Sequence, residues 1–171
     1  LSETSQCDSA KPFSDTSAKM NDQIAQHCLK NSQVLAQSAP KDLTSVNLHS
    51  PKSVASSMNW KELCSEAKVL SACRSSEQTP IYHFEKSANK TSKSPQKILV
   101  FSLIHGDEPE SGSVTFSWIE RLNRIDTRNN WRVIPVLNPD GWKLKTRTNA
   151  HGVDVNRNFP SKDWNDLAQT Y

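Results

Sequence analysis

Lys97-Ile98-Leu99-Val100-Phe101-Ser102-Leu103-Ile104-His105-Gly106 is the stretch on which the fold turns. A nearly continuous apolar run of strand length reads as a parallel strand buried on both faces. Pro109 follows where a first helical turn tolerates it, and Glu110 is favourable at a helix N-terminus. Val114, Trp118, Leu122 and Ile125 then form a helical stripe that predicts the buried face of that helix. Trp131 to Leu137 reads as the next strand, closed by Asn138-Pro139-Asp140-Gly141, which has strong turn chemistry. Strand, helix and strand within about forty residues make a βαβ-like unit, so the class is α/β. In such sheets the ligand crevice lies beyond the carboxyl ends of the strands, where His105 and Asn138 stand.

Ahead of this unit the composition changes. Leu, Ile, Val and Phe number 15 among the first 96 residues and 20 among the last 75, and 19 of the 24 serines fall in the first part. Residues 1–58 therefore read as a polar, low-hydrophobicity segment, mostly irregular or helical, and residues 59–171 as the part that carries a core. Within the first segment Met20, Ile24, Cys28 and Leu35 fall near helical spacing, which predicts an amphipathic helix over 17–37. Asn59 followed by Glu62 has the form of a capping box, opening a helix whose face would hold Trp60, Leu63, Cys64, Ala67 and Leu70. A polar loop over 87–96 joins two strand candidates, 80–85 and 97–104. Its Asn89-Lys90-Thr91 fits a glycosylation acceptor, a pattern too short to carry weight.

The chain has 21 basic and 18 acidic residues, a net charge of +3, spread evenly along its length. That excludes a nucleic-acid footprint or a polybasic membrane patch, and no apolar run approaches a transmembrane span. Cys7, Cys28, Cys64 and Cys73 contain no C-x-x-C pair, which argues against a zinc knuckle or a thioredoxin-like site. Sequence order favours Cys7–Cys28 and Cys64–Cys73 among the three possible pairings. Disulfides point to a periplasmic or secreted protein; four unpaired thiols would point to the cytoplasm. The start at Leu1, without methionine or an apolar signal segment, reads as a processed or cut N-terminus.

His105 and Glu108 make H-x-x-E on a strand-to-helix turn. Zinc takes imidazole nitrogen and carboxylate oxygen, and a catalytic zinc has three protein ligands and a water. Four residues alone are a weak signal, and a solvated turn would also produce them. The decisive stretch is Arg147-Thr148-Asn149-Ala150-His151-Gly152-Val153-Asp154-Val155-Asn156-Arg157-Asn158-Phe159-Pro160. It resembles the signature R-x-N-x-x-G-V-D-x-N-R-N-F-P of the zinc carboxypeptidase family. His105-Gly106-Asp107-Glu108 and Asn138-Pro139-Asp140-Gly141 precede it in the family's order. The spacing resembles that of compact bacterial members, the murein peptide amidases above all.

The resemblance covers about residues 80–164, more loosely from Trp60, and it implies roles position by position. His105 and Glu108 match the first two ligands of one Zn2+ ion. Asp154 matches the carboxylate that orients the ligating histidine. Arg147 matches the catalytic arginine that polarises the scissile carbonyl. Asn156 and Arg157 match the pair that grips the free carboxylate of the substrate. The implied fold is the N-terminal portion of a mixed-sheet α/β/α metallocarboxypeptidase domain. The implied substrate is a peptide or murein peptide, cleaved between γ-D-glutamate and diaminopimelate or at a C-terminal peptide bond. His151 stands where relatives carry Asn and reads as a loop histidine at the crevice rim. Lys145 is available to attract acidic substrates. His27, His49 and His83 lie outside every motif.

The family's third ligand, a histidine, and its general-base glutamate come from further along the chain, and nothing after Pro160 is His or Glu. Residues 59–171 therefore read as a partial catalytic domain, inactive alone. Two rival readings share these residues: a non-catalytic peptide-binding half-domain, and a deacylase of small amino-acid conjugates on the same scaffold.

Overall fold

A computed structural model describes residues 18–37, 59–157 and 159. Cys7, His49 and most of the polar segment lie outside them. Helix α1 (Ala18–Gln37) matches the amphipathic helix expected over 17–37. Ile24, Cys28 and Leu35 are buried on its inner face, and Asn31 Nδ2 donates to the Tyr82 hydroxyl at 3.3 Å. The short helix α2 (Trp60–Ser65) starts as expected. The Glu62 N–H donates to Asn59 Oδ1 at 3.2 Å, and Asn59 Nδ2 donates back to Glu62 Oε2 at 3.0 Å. Only Trp60, Leu63 and Cys64 of the expected face lie on it. After Ser65 the chain opens into strand β1 (Lys68–Arg74), so Ala67 and Leu70 fall beyond the helix.

Strands β2 (Pro80–Lys86), β3 (Lys97–Phe101) and β4 (Asn130–Ile134) complete a sheet in the order β1-β2-β4-β3. β3 and β4 run parallel, joined by helix α3 (Pro109–Arg124), while β2 is antiparallel to both β4 and β1. The class is mixed α/β with a mixed sheet. The core gathers Tyr82, Phe84 and Val133 from the sheet with Ile24, Leu35, Phe116 and Ile119 from the helices.

Three expectations are corrected here. β3 is the edge strand among the described residues rather than a strand buried on both faces, and Leu99 is 57% exposed. The buried face of α3 is Gly112, Phe116, Ile119 and Leu122, while Val114, Trp118 and Ile125 are exposed. Gly112 sets this rotation, because a Cβ there would lie 2.7 Å from Leu103 Cδ1 and 2.9 Å from Leu35 Cδ1. The helix approaches its neighbours closest where it has no side chain.

The third correction is the disulfide pairing. Cys28 is bonded to Cys64, fastening α1 to α2, and Cys73 is disulfide-bonded as well, so neither Cys7–Cys28 nor Cys64–Cys73 forms. From Lys68 to Cys73 the chain is extended and covers about 16 Å. Bridged cysteines have Cα atoms about 5.5–6 Å apart, and Cys28 and Cys64 are at 5.6 Å.

Candidate active site

The backbone past β3 is bent to deliver His105. Leu103, fully buried, adopts φ +49°, a left-handed conformation that costs a non-glycine residue about 1–2 kcal/mol. Its N–H donates to the Ser111 hydroxyl at 3.2 Å. Beyond Phe101 and Ile134 the two strands stay joined irregularly, through Ser102 N–H to Ile134 O and Asn138 N–H to Leu103 O, both 3.0 Å.

Asn138-Pro139-Asp140-Gly141 is not a free turn. It opens helix α4 (Pro139–Leu144), with Asn138 as N-cap and Pro139 at the first helical position. The Asn138 side chain works in two directions. Its Oδ1 accepts the Gly141 N–H at 2.9 Å, and its Nδ2 donates to the Ile104 carbonyl at 3.0 Å. Gly106 presses on the same helix so closely that a Cβ would lie 1.9 Å from the Gly141 carbonyl carbon. Its N–H donates to Thr146 O at 2.9 Å. Asp140, buried, accepts from the Ser75 hydroxyl and the Glu77 N–H, tying α4 to the turn between β1 and β2. The motif is the floor beneath His105.

On that floor four of the expected residues converge. His105 is buried, with Nδ1 2.9 Å from Glu108 Oε1 and Nε2 3.1 Å from Asp154 Oδ1. Arg147 Nε donates to Asp154 Oδ2 at 2.8 Å, and its Nη1 lies 3.9 Å from Glu108 Oε1. Asp154 thus holds the histidine with one oxygen and the arginine with the other. Burial raises its carboxyl pKa, but hydrogen bonds from Arg147, His105 and the Asn156 N–H outweigh this and hold it below the ordinary carboxylate value. The charged Asp154 carboxylate faces Nε2, and Nδ1 is the ring nitrogen turned to Glu108. A proton or a metal cation between Nδ1 and Glu108 fits that contact.

Asn156 and Arg157 sit one 3-10 turn past Asp154 (Val155–Arg157), exposed on the same rim. Arg157 Nη1 donates to Asn156 O at 3.2 Å. His151 is exposed and points to no ligand role; its N–H donates to Asn149 Oδ1 at 2.9 Å. Lys145 lies over the Trp142 ring, 3.0 Å from its centroid. Two residues outside the expected roles prove structural to the site. Asn138 steers the His105 turn. Asn149 shapes the 147–154 loop by accepting the His151 and Val153 N–H groups on Oδ1, with Gly152 at φ +75° completing the reversal. The signal for both was an Asn at a turn, which gives shape but no role.

An imidazole nitrogen and a carboxylate oxygen, oriented side by side with a carboxylate behind the imidazole, fit part of a zinc ligand set. Among the described residues no group of three His, Cys, Asp or Glu side chains forms a metal site by itself.

The comparisons with known proteins match the part of the chain that contains these residues. A family model described as zinc carboxypeptidase matches residues 59–170. Murein peptide amidase A of Escherichia coli (strain K12) is 41% identical over 73 residues, which cover 43% of this chain and 29% of that protein. Murein peptide amidase A of Vibrio campbellii is 30% identical over 92 residues, covering 54% of this chain and 35% of that protein. The chain therefore spans about a third of the length of these relatives. The crystal structure of thrombin activatable fibrinolysis inhibitor superposes with a TM-score of 0.52 at 20% identity, covering 84% of this chain and 41% of that one, a likeness of fold.

Proposed function

Since this chain belongs to the zinc carboxypeptidase family, we propose that it carries residues of a zinc-dependent site hydrolysing an amide bond beside a free carboxylate. The observation that carries the reading is the Asp154 carboxylate, which fixes His105 and Arg147 relative to one another. Murein stem peptides are the proposed substrates, on the similarity to the two murein peptide amidases.

His105 Nδ1 and Glu108 would hold one Zn2+ ion. Bound zinc supplies a water acidic enough to be a nucleophile near neutral pH. Asp154 keeps the imidazole in one tautomer and one orientation, so its Nδ1 stays available. Arg147, anchored through Nε, keeps its terminal nitrogens for the carbonyl oxygen on which charge develops. Asn156 and Arg157 are placed to take the permanent carboxylate of diaminopimelate. Water adds across the γ-D-glutamyl–diaminopimelate amide, freeing the glutamate γ-carboxyl and the diaminopimelate amine. The Cys28–Cys64 bond supports a periplasmic or secreted location.

The test is release of diaminopimelate from murein tripeptide by the complete zinc-loaded protein. Chelator-sensitive release that is lost in His105→Ala and Glu108→Ala supports the reading. Release that survives both substitutions sinks the proposed ligand set.

A further inference from the structure

At the end of the sheet away from His105, the loop 87–96 is stitched to residues 127–130. The Asn89 N–H donates to Thr127 O at 2.8 Å, the Ala88 N–H to Asn130 Oδ1 at 3.0 Å, and the Thr127 hydroxyl to Ser87 O at 3.1 Å. The Gln96 N–H donates to Asn129 Oδ1 at 3.1 Å, and the Asn130 N–H to Gln96 O at 2.9 Å. These bonds frame a cavity of about 350 Å³ lined by Asn89, Ser92, Lys93, Ser94, Arg128 and Asn129.

The hydrogen-bond accounting of this cavity is one-sided. Gln96 N–H can only donate, so it fixes the Asn129 carboxamide with its oxygen used and its Nδ2 without a partner among the described residues. Asn89 Oδ1 is likewise used, accepting from the Thr91 and Ser92 hydroxyls at 3.0 and 2.9 Å. Lys93 and Arg128 form no ion pair among the described residues, and no carboxylate lines the cavity. The two asparagine side-chain oxygens are occupied, and beside them stand a guanidinium, an ammonium, amide N–H₂ groups and the Ser94 hydroxyl. An open pocket that presents donors and positive charge, with no carboxylate in its lining, is matched by an oxyanion.

We propose that this cavity is an oxyanion-binding site of the phosphate type, separate from the His105 crevice. A five-residue strand, about 16 Å, lies between the two, because the cavity is at the amino ends of β3 and β4 and His105 is past their carboxyl ends. The inference stands apart from the proposed hydrolytic reaction, since it uses none of its residues.

Inorganic phosphate titrated into the protein at low ionic strength, followed by amide chemical shifts, provides the test. Saturable shifts confined to residues 88–96 and 127–130 are expected, unchanged in His105→Ala. Asn129→Asp keeps the oxygen that accepts from Gln96 while exchanging the open amide donor for a negative charge, so it should weaken phosphate at least about tenfold. Lys93→Ala with Arg128→Ala should abolish saturation, with shifts elsewhere in the protein confirming the fold. Shifts reproduced by chloride at matched ionic strength, or phosphate affinity retained in both variants, would overturn the site.

Discussion

At the carboxyl ends of β3 and β4, polar groups hold one another. Asp154 accepts from His105, Arg147 and the Asn156 N–H, and Asn138 uses both ends of its carboxamide. At the amino ends the Asn89 and Asn129 side-chain oxygens are used as well, but Lys93, Arg128 and the Asn129 amide nitrogen have no partner among the described residues. The first region trades hydrogen-bonding capacity for geometry, as the proposed hydrolytic chemistry requires. The second keeps its capacity for a ligand. Substitutions should therefore be felt as lost stability at one end and as lost binding at the other.

Gly106→Ala should show the largest effect. The new Cβ would fall inside the backbone of α4, where no side chain can swing away, so a loss of at least about 4 kcal/mol in denaturant unfolding is expected. Asn129→Ala at the amino end should cost on the order of 1 kcal/mol. Equal costs would erase the contrast. Next is removal of the Cys28–Cys64 bond by serine at both positions. It closes a 36-residue separation between α1 and α2 and should contribute about 4 kcal/mol or less in the chain-entropy account. A thermal midpoint unchanged by reductant would mean that α1 is held by packing alone.

Smaller again in free energy is Arg147→Ala in the complete protein. It should retain zinc and lose chiefly turnover, on the order of a hundredfold, because it meets charge only in the transition state. Arg157→Ala should instead weaken substrates with a free carboxylate and leave their amidated forms nearly unaffected. Steady-state constants on the acid and amide of one peptide separate the two roles. An identical shift of the same parameter for both variants would contradict them.

These contrasts also show where the sequence is legible. That His105, Glu108, Arg147 and Asp154 meet was legible through the family resemblance of the motifs that carry them. The Asn59–Glu62 cap could be read because it is local. What failed needed distance information. The face of α3 was assigned by apolar bulk, yet Gly112 decides it by permitting contact with Leu103 and Leu35. Cys64 was paired with its sequence neighbour, although β1 carries Cys73 out of reach. Asn138-Pro139 reads equally as turn or N-cap, and only the residues that follow choose. The donor-lined cavity could not be read at all, because Asn89 and Asn129 reveal their unused groups only once their oxygens have partners.

The smallest effects lie on β2, between the two ends, and concern pH. Burial pushes the His83 pKa below 6.5, with Glu85 opposing and Arg132 and Lys68 adding to the shift. Burial, then Lys30, also lowers that of His27, which lies on α1 rather than on β2. On the same strand, hydrogen bonds from Lys68 and Arg132 hold Glu85 down at about 2. For both histidines the unfolded chain takes up protons at higher pH than the folded one. Their share of stability is complete above pH 6.5 and is lost as pH falls toward the folded values. The share of Glu85 is complete above pH 4.5 and lost as pH falls toward 2. Both losses run in the same direction on acidification, but their causes respond differently to salt. Desolvation of an imidazole is barely screened, whereas the Lys68–Glu85–Arg132 pairs are open to water and weaken with ionic strength. Thermal midpoints from pH 8 to 3 should therefore fall in two stages, with 0.5 M salt flattening only the lower one. His83→Gln should flatten the upper stage and leave the lower intact. A single acid transition, or an upper stage that disappears in salt, would show that burial does not govern these histidines.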